Sequence, residues 1–200
     1  MRRIPFRFGL FLVAAALLAS AGHAHRLREA GREFKIDDSP LVVVPGRDWN
    51  RLDFRAGPST ETWTLDGEQL NDVTFYAGIE PGKPLLRERS KKRDPLPKFT
   101  ETTLLIEIPE LLERTYRTYK SLAAFELLTV EPTTFLGREG VQFTYEFTDA
   151  DELVRRGEAR AAIVDGRLYM ITFDAPRLHY FERTLADYRQ LLESARYAAR

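Results

Sequence analysis

Cysteine is absent from all 200 residues of this chain. That absence excludes disulfide bonds, a thiol nucleophile, a thiolate metal centre and the acylated cysteine of a bacterial lipoprotein anchor. Histidine is nearly as scarce, with only His23, His25 and His179, so one chain cannot assemble a histidine-rich zinc centre. No Gly-x-Ser-x-Gly nucleophile elbow occurs, and the many aspartates and glutamates show no spacing that selects a catalytic pair. Thirty basic residues face thirty acidic ones. Without a cationic surplus to neutralise phosphates, the chain is not read as a nucleic-acid binder. No motif asks for a cofactor or a metal.

What is present begins with an address. Arg2, Arg3 and Arg7 precede an apolar run from Phe8 to Leu18 and a small-residue tail, Ala19-Ser-Ala-Gly-His-Ala24. This order is that of a cleavable secretory signal peptide, and the apolar run is too short for a permanent membrane span. Residues 1 to 24 are therefore expected to be removed, with cleavage after Ala24 or Ala21. Ile-Pro-Phe after the arginine pair matches the twin-arginine pattern poorly, so general secretion is expected. Removal leaves 27 basic residues against 30 acidic ones. No second long apolar run follows, so a periplasmic or secreted protein without a transmembrane anchor is expected. Residues 25 to 40 read as a charged, mobile arm and residues 41 to 200 as one domain.

The strongest local signal is Asp165-Gly166, set between Gly157–Val164 and Arg167–Phe173. A two-residue hairpin turn needs positive φ at both central positions, which Asp-Gly supplies. Strand alternation then puts Tyr169, Ile171 and Phe173 on one face and Leu168 and Met170 on the other. Both faces are apolar, which predicts a central strand. Leu41–Val44 reads as a buried strand, and Trp49, Leu52 and Phe54 mark another. Thr60–Leu65 and Leu70–Ala77, on either side of Asp66-Gly67, read as an antiparallel pair. Gly78 to Lys83 lacks the spacing of a phosphate loop and reads as a turn.

Pro109 predicts a helix start, because proline suits the first turn and disrupts the interior. Leu112, Tyr116, Tyr119 and Ala123 form its stripe, and residues 104 to 108 fit either a strand or a helical turn. Phe125–Glu131 reads as a strand ended by Pro132, and Phe135–Gly140 as a turn. Val141, Phe143, Tyr145 and Phe147 share one face of the next strand. Asp149–Glu152 lacks the glycine and glutamate of a calcium loop and reads as a charged connection. Asp174-Ala-Pro176 ends the central strand, Arg177–Phe181 forms a corner, and Thr184 caps a C-terminal helix striped with Leu185, Tyr188, Leu191, Leu192 and Ala195. The whole is an α+β pattern.

Several of these residues together resemble the PsbP-like superfamily. They are Gly137-x-x-Gly140-Val-x-Phe-x-Tyr, the Asp-Gly hairpin with Leu168-Tyr169-Met-Ile-Thr-Phe173, Ala175-Pro176 with His179-Tyr-Phe181, and Leu192-Glu-Ser194-Ala195. The likeness covers roughly residues 109 to 196. That group includes an extrinsic photosystem subunit and many exported bacterial proteins of undefined role. The resemblance implies an antiparallel sheet sandwiched between helices, a PsbP-like α/β/α arrangement. No metal or partner residue carries over, since shared fold does not transfer function.

Two stretches are candidates for contact with a ligand or partner. His179, Tyr180 and Phe181 set a titratable ring beside two aromatics, able to line a pocket or to plug a core end. Lys91, Lys92 and Arg93 lie in the basic, proline-punctuated segment 83 to 98, either an arm for an acidic partner or anionic lipid, or a solvated loop. The expected role is that of an exported binding or accessory protein, meeting a protein or small molecule in the cell envelope. The alternative is a small enzyme using carboxylates or His179. Neutralising Lys91, Lys92 and Arg93 separates the readings of the basic segment: salt-sensitive loss of recovery with envelope membranes or partners marks a contact surface, and unchanged recovery marks a solvated loop.

Overall fold

Asp165 and Gly166 adopt φ of 51° and 71°, the left-handed pair that an Asp-Gly turn requires. Arg167 therefore pairs with Val164, and the two strands zip outward to Pro176 opposite Arg155. The computed structural model describes residues 26–90 and 92–198. The expected signal peptide and Lys91 lie outside the described residues. In chain order the strands are β1 (Arg26–Arg28), β2 (Phe34–Lys35), β3 (Leu41–Val43), β4 (Trp49–Arg51), β5 (Thr60–Thr64) and β6 (Asp72–Ile79). A single 3-10 turn, Leu105–Glu107, leads into helix α1 (Ile108–Lys120). Then come β7 (Ala124–Phe135), β8 (Arg138–Thr148), β9 (Val154–Val164), β10 (Arg167–Pro176), helix α2 (Tyr180–Glu193) and β11 (Arg196–Tyr197).

Eight strands form one antiparallel sheet in the order β1-β4-β5-β6-β10-β9-β8-β7, so β10 is central as its two apolar faces predict. A smaller sheet joins β11, β3 and β2. On one face, Trp63, Phe75, Ile171 and Phe173 pack with Tyr188, Leu191 and Leu192 of α2. On the other, Tyr76, Met170 and the row Val141, Phe143, Tyr145, Phe147 pack with Ile108, Leu112 and Tyr116 of α1. That aromatic row fits because its partners on β9 are small: Val141, Phe143 and Tyr145 pair with Ala161, Ala159 and Gly157. Each apolar cluster thus receives one helix. Much of the remaining cover is non-helical: Ile36, Leu41 and Val43 on the α2 side, and Leu85, Leu86, Leu96 and Phe99 on the α1 side.

The structure corrects several expectations. Residues 26 to 40 are built into the fold, since β1 pairs with β4, β2 with β3, and Ile36 is fully buried. Their apolar side chains are few but well placed, which composition alone could not reveal. β7 runs through Pro132 to Phe135, because an edge strand tolerates a residue without an N–H. Only Leu136 and Gly137, at φ of 53° and 72°, form the turn into β8. β5 and β6 pair antiparallel as expected, and the connection between them, residues 65 to 71, is organised by buried Asn71, whose Oδ1 accepts from the Leu65 N–H at 2.8 Å. Helix α2 starts at Tyr180, so Thr184 is an interior, buried residue and not the cap. The stacking of Phe181 on Phe173 at 5.2 Å fixes the earlier start. The segment 104 to 108, open to two readings, is the 3-10 turn and the first residue of α1.

One local conformation should be improvable. Glu152 is exposed in the β8–β9 connection and holds φ of 60°, a region costly for residues with a Cβ. Glu152→Gly is expected to raise stability by about 0.5–1 kcal/mol in urea denaturation, the relief exceeding the extra chain entropy glycine brings.

Candidate functional site

The expected corner at residues 177 to 181 is a strained, outward-facing turn. The Tyr180 N–H donates to the Leu178 carbonyl at 2.8 Å across His179, whose φ of 69° and ψ of −56° define the rare positive-φ form of the γ-turn. The chain reverses there to begin α2. His179 is exposed, Tyr180 is half-buried with its ring edge-on to His179 at 5.1 Å, and Phe181 is buried against Phe173. Phe181 is therefore a core residue, and only the first two face outward. Leu178 beside them is 79% exposed. The Arg177 N–H donates to the Val154 carbonyl, extending the β9–β10 register one step. Leu153, the residue before Val154, is 41% exposed.

The basic segment is a closed loop and not a loose arm. Its neck is shut by Gly82 N–H to Phe99 O at 2.7 Å and Phe99 N–H to Lys83 O at 3.0 Å, with Pro84 bridging Lys98. Leu85, Leu86 and Leu96 anchor it in the core, and the Arg89 guanidinium lies 4.8 Å from the Tyr119 ring centre. Lys92 and Arg93 are exposed at its tip. The corner and this loop do not meet: one adjoins α2, the other packs on the α1 side of the sheet.

The structure brings together a group that sequence spacing did not select. Asp72 of β6 and Asp174 of β10 are direct cross-strand partners on the α1 face. Asp174 is fully buried and accepts hydrogen bonds from Tyr116 Oη at 2.7 Å, Tyr145 Oη at 2.7 Å and Lys120 Nζ at 3.2 Å. Gly157 makes room for this, since a Cβ there would lie 2.2 Å from Tyr145 Cζ and 2.6 Å from Asp174 Oδ1. Burial, and then the charge of Asp174, raise the Asp72 carboxyl to about 7, against the opposing pull of Lys120 and Arg155. Burial likewise pushes Tyr116 and Tyr145 well above the ordinary phenol range, so both stay protonated donors. A signal existed: Asp174 is the one charged residue within Leu168–Pro176, the buried length of β10. An aspartate before Ala-Pro reads locally as a strand end, which hides it.

Asp174 is enclosed, whereas Asp72 keeps partial contact with solvent. Small clefts of about 80 and 250 Å³ reach Asp72 and Lys120, and neither includes Asp174. Among the described residues no group of three or more His, Asp or Glu is placed to hold a metal ion. A larger cleft of about 580 Å³ lies at the other end of β10, beside the hairpin turn, lined by Asp38, Gly78, Asp165, Tyr169 and Tyr197 among others. Burial, and then neighbouring Tyr197, push the Tyr169 phenol up to about 12.

Among solved structures, the chain is similar to cyanobacterial PsbP (CyanoP) from Synechocystis sp. PCC 6803, with a TM-score of 0.59 and 12% identity over 89% of this chain and 95% of that one. A Pseudomonas aeruginosa protein of unknown function gives a TM-score of 0.43 and 12% identity over 82% and 96% of the two chains. The Saccharomyces cerevisiae Ran-binding protein Mog1p gives 0.45 and 9% over 88% and 97%. The last two scores are too low to carry an argument. No family model matches the chain, and no curated protein matches it. The fold is PsbP-like, as the resemblance of residues 109 to 196 implies.

Asp72 yields a pH-dependent expectation. A carboxyl held near 7 in the folded state and near 3.8 unfolded favours folding fully below the lower value, and that contribution is lost as pH rises through the higher one. Asp72→Asn removes the titration. Its stability relative to the parent is expected to rise between pH 5 and pH 8 by about 2 kcal/mol, a shift of this size being discounted for the partial solvent contact of Asp72. Urea denaturation at the two pH values measures it, and a pH-independent difference refutes it.

Proposed function

We propose that this protein is exported to the cell envelope, losing residues 1 to 24, and acts there as a non-catalytic binding or accessory protein that holds a protein partner at its γ-turn corner. This reading takes the α/β/α arrangement of the PsbP-like fold, with α1 and α2 covering opposite faces of the sheet. The observation that carries it is the exposure of Leu178, 79%, on a backbone strained at His179. A strained turn persists only where its surroundings over-determine it, and such turns gather at functional sites. Here strain presents a leucine to solvent with His179 and Tyr180 alongside, and a second exposed leucine, Leu153, adjoins Val154, to whose carbonyl the Arg177 N–H donates.

The surrounding charges fit a protein surface better than an anionic membrane. Arg177 is spent on Glu146 at 3.1 Å, and Arg183 on Asp66. With its cations neutralised internally, the corner offers apolar contact edged by aromatics, the composition of interface centres. The carboxylate pair supports binding over catalysis: the Asp174 oxygens are engaged by Tyr116, Tyr145 and Lys120.

A photo-crosslinking side chain at Leu178, activated in intact cells, is expected to give a discrete protein adduct in the envelope fraction. The same side chain at Thr144, on the polar sheet surface, is expected to give none. Leu153→Asp should cut the Leu178 adduct about tenfold while leaving thermal unfolding unchanged, because it spoils the apolar centre without touching the core. Equal adducts at both positions, or none at either, would overturn the proposal.

A further inference from the structure

Three buried side-chain donors lack an acceptor among the described residues, and all three stand together: Arg28 Nε, Trp49 Nε1 and Arg51 Nε. Arg28 of β1 is the cross-strand partner of Trp49 on β4, and Arg51 lies two residues along β4, so strand alternation puts the three side chains on one face of the sheet. Trp49 belongs to the apolar cluster that α2 packs against, which identifies the face. Trp49 is fully buried and Arg51 is 9% exposed. Native proteins pair nearly all such groups, so three unpaired N–H donors in one place mark a site that an acceptor would complete.

One carboxylate serves both arginines. Glu61 of β5, itself buried, accepts from Arg28 Nη2 at 2.8 Å and from Trp63 Nε1 at 2.7 Å through the same oxygen. Arg51 Nε stands 3.2 Å from that oxygen without the geometry of a hydrogen bond. Arg26, the cross-strand partner of Arg51, adds a third guanidinium on this face; it is exposed and, among the described residues, forms no ion pair. Three cations therefore face one anion. A buried charge without full compensation is costly, and a second carboxylate is the group that best satisfies paired guanidiniums. Contact with the rings of Phe34 and Trp63, 4.8 and 5.6 Å from their centres, holds the Arg28 guanidinium in place.

The place of this cluster in the sheet decides what can bring the carboxylate. β1 is the outermost strand and pairs with β4 on one side alone, so the main-chain groups of its other side are open. Leu27 points to the opposite face from Arg26 and Arg28 and is 51% exposed. We propose that β1 receives an extended acidic segment of a partner protein as an added strand, with aspartate or glutamate at alternate positions beside Arg26 and Arg28 and apolar residues between them beside Leu27. Main-chain pairing supplies affinity and the alternate carboxylates supply selection. Antiparallel pairing of β1 between two copies of this chain would set arginines against arginines, which excludes that occupant. The surface is separate from the γ-turn corner, which lies at the end of β10, four places along the sheet order.

The test is fluorescence anisotropy of the purified protein with a labelled Val-Glu-Val-Glu-Val-Glu-Val peptide, its Val-Lys counterpart, and the glutamate peptide N-methylated throughout, which keeps the charges and loses every main-chain donor. At low salt the glutamate peptide is expected to bind and the other two not to. Arg26→Gln should weaken binding about threefold and Leu27→Asp about tenfold, with thermal unfolding unchanged because both residues are exposed. Arg28→Met should weaken it about tenfold, read beside thermal unfolding because it also takes a donor from buried Glu61. Leu178→Asp should leave peptide binding untouched, so the corner and the sheet edge fail separately. Equal binding of the N-methylated peptide would reduce the edge to a bare anion site and overturn the proposal, as would equal binding of the lysine peptide or unchanged affinity in Arg26→Gln and Leu27→Asp. Self-association of the protein that Glu131→Arg abolishes would give the edge to β7 of a second copy, whose Glu131 is exposed, and would overturn it too.

Discussion

The buried carboxylate of Asp174 ties the α1 layer to the centre of the sheet. Its two oxygens accept hydrogen bonds from Tyr116 and Lys120 of α1 and from Tyr145 of β8, while its backbone belongs to the central strand. Removing one partner from a buried charge typically costs about 3–5 kcal/mol, so the group acts as a unit. It also dictates its surroundings. Gly157 must lack a side chain so that Tyr145 can lie across β9, and small residues continue along β9 beneath the aromatic row of β8.

That tie has an electrostatic consequence one strand away. Asp72 faces Asp174 directly, and two carboxylates in one partly desolvated place cannot both ionise freely. Burial and the neighbouring Asp174 charge hold the Asp72 carboxyl near 7, so its charge changes near neutrality. This arrangement resembles acid–base machinery in composition and differs from it in access, since the oxygens of Asp174 are occupied. Open features lie at the two ends of β10: the γ-turn where the strand hands over to α2, and the cleft beside the hairpin turn.

Those ends show two different ways of making an open surface. At the corner, backbone strain holds an apolar side chain outward, while Phe181 one turn later is driven into the core by stacking on Phe173. At the other end, the extra residue Gly78 bulges β6 beside a cleft of about 580 Å³. The basic loop belongs to neither. It is shut at its neck by main-chain hydrogen bonds and fastened by three buried leucines, so its charges are held on a fixed projection.

The sequence by itself determined features whose cause is local. The Asp-Gly turn, the two apolar faces of β10, the single-sided aromatic row of β8 and Pro109 in the first turn of α1 all follow from φ preference or side-chain period, which neighbours along the chain settle. Only the tertiary structure decided the rest. The arm at residues 26 to 40 gained its strands from partners far along the chain, and Pro132 proved tolerable because β7 is an edge. Asp72 and Asp174 became a pair because β6 lies beside β10, a fact carried by sheet order and not by spacing. His179, Tyr180 and Phe181 were legible as an aromatic corner, but which of them faces solvent depended on where α2 begins. That point is set by packing against Phe173, a contact between elements that no local pattern encodes.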